Sequence, residues 1–538
     1  MSKLLVALLV SVVTCATAAW PATADARPRL LVADVARVSD DEQLLFAALQ
    51  GIVNRPALRH TTTPRIYLLG IRNGGGPDVD PTAERWLREA VRLPSRRVGP
   101  YRLLRLFRSR VRGLVVWDPA LPIDTQNVAT TIAGLRNLLP VSPRIAAMLR
   151  RARFGLRVEV DLRKQHFKSR KEAYDWALAH LGPPKRFGAL AWLSYHHGIR
   201  DLVVARRAFA FEADPQNEWR LATRILDAFP YGTPVFGYPF YNERFYQTTG
   251  VPVNEPIGVG EISRSGKFLF PSDTATNLSV HSSFRARRQA TPWDDRPRPI
   301  TAGKTYVAFL ITDGDNFGYD EGTLLLRHFD DPARGSIPMG ISISPALQIY
   351  APRLYRYYVR SLSPNDVLVA APSGAGYVYP QEDPDLGSYL RSTRRLMRLA
   401  GLHAVWILDN GYASSPSPLI VKRYVDKLSP SAVFTDYFGF VTPNPPPVSF
   451  SGGVPVVHAM WGDGMPPGRD PIQSTAERVK LAAATFPGRP AFVLVALNTW
   501  NMGYSQARAV MAKLGPSYQA VRPDHFAGLL KTAYPIRP

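Results

Sequence analysis

Between Tyr306 and Val521, short apolar runs of strand length recur with room for a helix between most of them. The runs are Tyr306–Ile311, Ile337–Ile343, Val367–Ala370, Ala404–Leu408, Ala432–Thr435, Val454–Ala459, Ala491–Leu497 and Tyr518–Val521. Runs apolar on both faces belong to parallel strands covered by helices. Leu386–Ala400, Pro418–Lys427, Ser474–Thr485 and Tyr504–Leu514 supply such helices. Eight units in roughly 235 residues match a (β/α)8 barrel. The sequence therefore predicts an α/β protein whose C-terminal domain, 301–538, is (β/α)8 barrel-like.

Upstream the alternation is shorter. Residues 27–165 place strand-like runs (Leu30–Val32, Ile66–Leu69, Gly113–Trp117) between helical ones (Asp40–Leu49, Ala83–Val91, Asn127–Leu138). Residues 166–300 repeat the style and end in Thr291–Thr301, which holds three prolines and reads as a linker. One or two smaller α/β domains thus precede the barrel: 27–165 as an N-terminal domain and 166–300 as a second domain with its linker.

The first 26 residues read as a signal peptide: a basic start at Lys3, an apolar run Leu4–Val13, and Ala-x-Ala patterns ending at Ala18, Ala24 and Ala26. Cleavage after Ala24 or Ala26 and secretion are expected. The single cysteine, Cys15, lies inside this segment behind Thr14, a poor context for lipid attachment. Without cysteine the mature chain has no disulfide and no Cys-ligated zinc site. That usage fits an exported bacterial protein. No other run is long and apolar enough to span a bilayer. The net charge of +23 comes largely from arginine, as in the run Arg102, Arg105, Arg108, Arg110 and Arg112. It reads either as solvated helix faces or as adhesion to an anionic polysaccharide or cell-wall polymer. Nucleic acid is not expected, because export argues against it and no zinc-finger or RNA-recognition motif is present.

A barrel of this kind carries its site at the C-terminal ends of its strands. Those ends here are Thr312–Asn316, Ser342–Ser344, Ser373–Tyr379, Asp409–Asn410, Asp436–Tyr437, His458–Asp463 and Asn498–Asn501. Asp, Asn, Trp and Tyr dominate the set, which suits a carbohydrate. The third strand is followed by Ala371–Pro380, A-P-S-G-A-G-Y-V-Y-P. Gly374, Gly376, Tyr377, Tyr379 and Pro380 match the pattern G-x-G-Y-x-Y-P. This resembles the signature of the GxGYxYP family of putative glycoside hydrolases. Y306-V-A-F-L-I-T-D-G-D-N316, G340-I-S-I-S-P-A-L, A351-P-R-L-Y-R-Y-Y and P364-N-D-V-L resemble that family's C-terminal blocks in content and order. L49-Q-G-I-V-N-R55, R200-D-L-V-V-A-R-R-A-F and N277-L-S-V-H281 echo its N-terminal half, so the likeness spans most of 45–530. The resemblance implies a glycoside hydrolase acting on a poly- or oligosaccharide.

Glycosidic cleavage generally uses two carboxyl groups, one protonated and one ionised. The catalytic candidates are Asp313, Asp315, Asp409 and Asp436. Each has a plainer alternative: an Asx turn for the first two, a turn or helix cap for Asp409. Asn316, Ser373, Gly374, Gly376, Tyr377, Tyr379, His458, Trp461, Asn498 and Trp500 are the substrate-binding candidates. His458 could instead be a core histidine, and Trp461 and Trp500 core aromatics. Glu382 reads as exposed, and Glu243 and Glu261 lie outside the barrel. No cofactor or metal is expected: a Walker A loop, a G-x-S-x-G elbow and histidine pairs three or four apart after residue 302 are all lacking. The rival functions are a non-catalytic carbohydrate- or cell-wall-binding protein, and a polysaccharide lyase or metal-dependent hydrolase.

Overall fold

The computed structural model describes residues 29–72, 81–194, 197–239, 255–409, 415–438, 446–462, 470–487 and 490–535. The signal segment, Asn410, Asp463 and Glu243 lie outside the described residues.

The strands run β1 (Leu30–Asp34), β2 (Arg65–Leu69), β3 (Ser95–Arg97), β4 (Gly113–Val116), β5 (Leu138–Val141), β6 (Val158–Asp161), β7 (Leu190–Trp192), β8 (Phe209–Phe211), β9 (Pro234–Gly237) and β10 (Phe268–Pro271) in the N-terminal half. They continue as β11 (Thr305–Ile311), β12 (Met339–Ile343), β13 (Asp366–Ala370), β14 (Ala404–Ile407), β15 (Ala432–Phe438), β16 (Val448–Ser451), β17 (Val454–Gly462), β18 (Ala491–Leu497) and β19 (Tyr518–Ala520). The first ten form three small parallel sheets in the orders β2-β1-β3, β5-β4-β6 and β10-β9-β7-β8.

The C-terminal half is a closed barrel of seven parallel strands, β11-β12-β13-β14-β15-β17-β18, returning to β11. Tyr518–Val521, expected as the eighth stave, does not enter the ring. Strand β19 pairs with Thr305–Val307 at the start of β11, whereas β12 pairs only with Leu310 and Ile311 at its end. One edge of β11 is thus shared between two short partners. Gly340 makes the closure possible: a Cβ there would fall 2.7 Å from Pro523 and 2.8 Å from Leu310.

Alternation separates interior from exterior. Tyr306, Ala308 and Leu310 join Trp406, Phe434, Phe492 and Leu494 in the barrel core. Val307, Phe309 and Ile311 pack outward with the helices. Helix Pro418–Leu428 starts on Ser417, with proline in its first turn, and helix Leu386–Ala400 ends at Gly401 with φ +77°. Among the described residues no helix is long and apolar enough to cross a membrane.

The N-terminal sheets are fused to the barrel. Trp86 Nε1 donates to the Glu321 carbonyl at 2.5 Å, and the Phe270 ring stacks on Phe317 at 5.1 Å. The proline-rich segment 291–301 has no regular structure and runs as a strap along the barrel. Trp293 stacks on His403, and Asp295 pairs with Lys531 at 2.5 Å.

Candidate active site

The loop after β11 is shaped by three local constraints. The Thr312 hydroxyl donates to Asp313 Oδ2, and Asp313 itself turns the chain with φ +64°. Gly314 then passes the end of β12, its N–H donating to Ser342 Oγ at 2.9 Å. A Cβ at that position would lie 2.0 Å from the Ser342 carbonyl oxygen, so only glycine fits. Asn316 Oδ1 accepts from the Tyr319 N–H at 3.1 Å and caps helix Phe317–Glu321. Asn316 therefore builds the loop.

Asp313 and Asp315 sit deep among protein atoms, yet both keep part of their surface open to solvent. Desolvation pushes the Asp313 carboxyl up to about 6, with the Glu255 charge adding to the effect and the Thr312 hydrogen bond opposing it. Asp315 is pushed well above the usual carboxylate range, first by desolvation, then by the Asp313 charge and by Glu255. Two neighbouring acids thus resist ionising together.

Glu255 was not foreseen from the sequence. It is the first residue of helix Glu255–Arg264, which packs on the four-stranded sheet. Its Oε1 accepts from the Tyr377 hydroxyl at 3.0 Å. Its charge is felt at Asp313, Asp315 and Tyr379, so the N-terminal half contributes an acid to the barrel site. The available signal was Glu-Pro opening a helical stretch, a pattern too common to single out.

The signature loop reaches this cluster by docking on β10. Tyr377 N–H donates to the Leu269 carbonyl at 2.8 Å, and Leu269 N–H returns a bond at 2.9 Å. Tyr379 N–H donates to Ser263 Oγ at 2.9 Å. Gly376 permits the approach, because a Cβ would stand 2.7 Å from the Leu269 oxygen. Gly374, at φ +134°, lies against Thr393, and Ser373 Oγ donates toward the Val378 and Leu408 carbonyls, each at 3.0 Å. The two tyrosine rings meet edge-on at 5.7 Å and are buried, 3% and 1% exposed. Their faces are closed to a sugar. What they bring to the acid cluster is hydroxyl groups, and Tyr379 is held protonated by desolvation and by the Glu255 charge.

The remaining candidates are dispersed. Asp409, fully buried two residues beyond β14, accepts from the Gln381 N–H at 3.4 Å and bears electrostatically on Tyr379. Asp436 lies at an irregularity of β15, with φ +35°. Its Oδ2 meets His458 Nδ1 at 2.8 Å, and Thr435 Oγ1 meets the same nitrogen at 2.7 Å. His458 is not a strand end, since β17 runs on to Gly462. Val457 and Ala459 point into the barrel, whereas Val456 and Met460 face the helices. Alternation therefore puts His458 on the outer side of the wall with its Asp436 partner. Trp461 closes the interior-facing row of β17, half-buried at its upper end. Asn498 Oδ1 accepts from the Trp500 N–H at 3.0 Å, and Trp500 is 54% exposed. Glu382 is held by Arg264 at 2.6 Å, and Glu261 by Thr223 at 2.7 Å and Arg264 at 2.9 Å. Among the described residues no three His, Cys, Asp or Glu side chains are grouped to hold a metal ion.

Three family models match in chain order. Residues 111–184 match the GxGYxYP_N second domain, 189–283 the GxGYxYP third domain, and 303–531 the GxGYxYP putative glycoside hydrolase C-terminal domain. The chain belongs to the GxGYxYP family. A crystal structure of a putative hydrolase from Bacteroides thetaiotaomicron superposes with a TM-score of 0.76 at 22% identity, covering 93% of this chain and 94% of that one. It shares the fold of the GxGYxYP chain. A putative polysaccharide deacetylase from Mycobacterium smegmatis gives a TM-score of 0.31 at 14% identity over 46% of this chain and 99% of its own, too low to bear on the site. No curated protein matches.

The raised acids have a stability consequence. A carboxyl harder to ionise folded than unfolded holds its proton longer in the folded state, so its contribution is present below the unfolded pKa and lost as pH rises through the folded one. For Asp313 that window runs from 3.8 to about 6. Asp313→Asn should therefore be more stable than the unaltered chain at pH 7, by up to about 3 kcal/mol, and no more stable near pH 3.5. Thermal midpoints at the two pH values check this; a variant that melts lower at pH 7 contradicts the desolvation.

Proposed function

We propose that this GxGYxYP protein is an exported glycoside hydrolase that cleaves a polysaccharide at the acid pair beyond the C-terminal end of β11. The observation that carries the reading is the Asp313–Asp315 pair, part-exposed yet crowded, with both proton affinities raised by burial and by Glu255, and that of Asp315 further by the Asp313 charge. Asp315, which holds its proton well above the usual carboxylate range, can give that proton to the glycosidic oxygen. Asp313, ionised above about pH 6, can act on the anomeric carbon or on the attacking water. The proton lost by Asp315 leaves with the departing sugar, and water supplies the oxygen of the new reducing end. Glu255 and the Tyr377 and Tyr379 hydroxyls border the same acids. Trp461 and the exposed Trp500 offer faces for pyranose stacking.

The net charge of +23 favours an anionic polysaccharide or cell-wall polymer as substrate. The signal-like N-terminus supports export: the secreted protein should begin between Ala19 and Arg27. A product that retains Met1 contradicts secretion by this route.

The test of function is incubation with a polysaccharide panel in 18O-labelled water. Hydrolysis predicts reducing ends that carry the label. Unsaturated products mean a lyase, and binding without release means a carbohydrate-binding protein; either overturns the proposal.

A further inference from the structure

The two helices flanking β13 on the outside of the barrel carry arginine stripes. Leu386–Ala400 places Arg391, Arg394, Arg395 and Arg398 at positions i, i+3, i+4 and i+7, which is one helical face. Pro352–Arg360 does the same with Arg353, Arg356 and Arg360. Neither helix contains an Asp or Glu. Like charges at i, i+4 destabilise a helix, so both stripes are kept against their own repulsion.

The stripes border concave surface. A recess of about 590 Å³ is lined in part by Arg288, Arg394, Arg398 and His403. An adjoining one of about 540 Å³ is lined, among the described residues, by Arg288, Arg395, Arg398 and Leu399. Sharing Arg288 and Arg398, the two are one groove. Arg287, next in the chain, lies close enough to Arg356 for the two charges to repel, which links the second stripe to the first. Arg288, Arg394, Arg395 and Arg398 are exposed, and among the described residues none of them is held in a salt bridge. The groove lies at the entry ends of β14 and β15, beside Gly401–His403 and Ser429–Ser431, at the opposite end of the barrel from the acid cluster.

We infer that this groove is a second carbohydrate site that holds a strand of uronate-bearing polysaccharide by its carboxylates. Arginine forks match carboxylates in two-point geometry. A groove opened across two recesses suits a chain better than a single small anion. No exposed large aromatic lines it for base stacking, which disfavours single-stranded nucleic acid. Placing the anion on a sugar rests on the glycoside hydrolase reading. The groove itself does not, and its test reads binding alone.

Equilibrium binding of the full chain to polygalacturonate is compared with neutral pullulan, poly(glycerol phosphate) and duplex DNA at one ionic strength. The triple variant Arg288→Ser, Arg395→Ser, Arg398→Ser is set beside a charge-matched control, Arg102→Ser, Arg110→Ser, Arg112→Ser. The groove variant should lose polygalacturonate affinity on the order of ten-fold or more, because charge-assisted hydrogen bonds are the strong class. The control should change little, and pullulan should not bind. Equal loss in both triples, or no loss in either, overturns the proposal and leaves bulk charge as the cause. Preference for DNA or for the phosphate polymer also overturns it. Binding through the groove with no sugar released from any member of the polysaccharide panel would sink the hydrolase reading and leave the groove standing.

Discussion

Replacing Asp315 by Asn should lower turnover of a cleavable polysaccharide by about 10²–10⁴-fold, the range supplied by a positioned acid or base, while leaving the fold intact. The amide keeps the shape of the carboxyl but has no proton to give. Asp313→Asn should cost a similar factor by removing the ionised partner. The wild-type rate should rise as pH passes about 6, where Asp313 loses its proton. Glu255→Gln removes one of the charges that raise both acids, so it should move that rise to lower pH. Rates measured from pH 4 to 9 on the three variants check these expectations. Near-normal turnover in both Asn variants would place the acid and base elsewhere.

The second large effect concerns stability. Tyr377→Ala should destabilise the protein by about 3–5 kcal/mol, as large aromatic truncations in cores do. The ring is 3% exposed and belongs to the same apolar cluster as Leu269 and Tyr379. Tyr377→Phe keeps that packing and removes only the hydroxyl that donates to Glu255 at 3.0 Å. It should fold normally and show its effect in the pH–rate profile. Denaturant unfolding of the two variants separates the roles. A stable Tyr377→Ala protein would mean that the signature loop does not need its ring to stay docked on β10.

Much of the barrel was legible because parallel strands covered on both faces are written as unbroken apolar runs. Ala491–Leu497 is buried throughout and could be read as nothing else. Tyr518–Val521 misled because a strand that pairs with only half of its neighbour has the same local sequence as one that completes a ring. The path of the signature loop was illegible for a similar reason. The loop's glycines and tyrosines were read as substrate-binding, but its pairing partner, Leu269, lies more than a hundred residues earlier. Asp313 and Asp315 could be placed together beyond β11 because they follow the end of a strand, a local fact. Glu255 was missed because its proximity to them arises only from the docking of another sheet. His458 was taken for a strand end because the apolar run stopped one residue later. The strand in fact runs to Gly462, and alternation turns the histidine outward.

Hydrolysis is assigned here to one acid pair at the end of β11. The most direct test is reducing-end release by the Asp313→Asn/Asp315→Asn double variant beside the unaltered protein, on the same polysaccharide and across the same pH range. The unaltered protein should release reducing ends at a rate that increases through about pH 6, and a folded double variant should release none above background at any pH. Release by the double variant at a rate close to that of the unaltered protein would contradict this assignment.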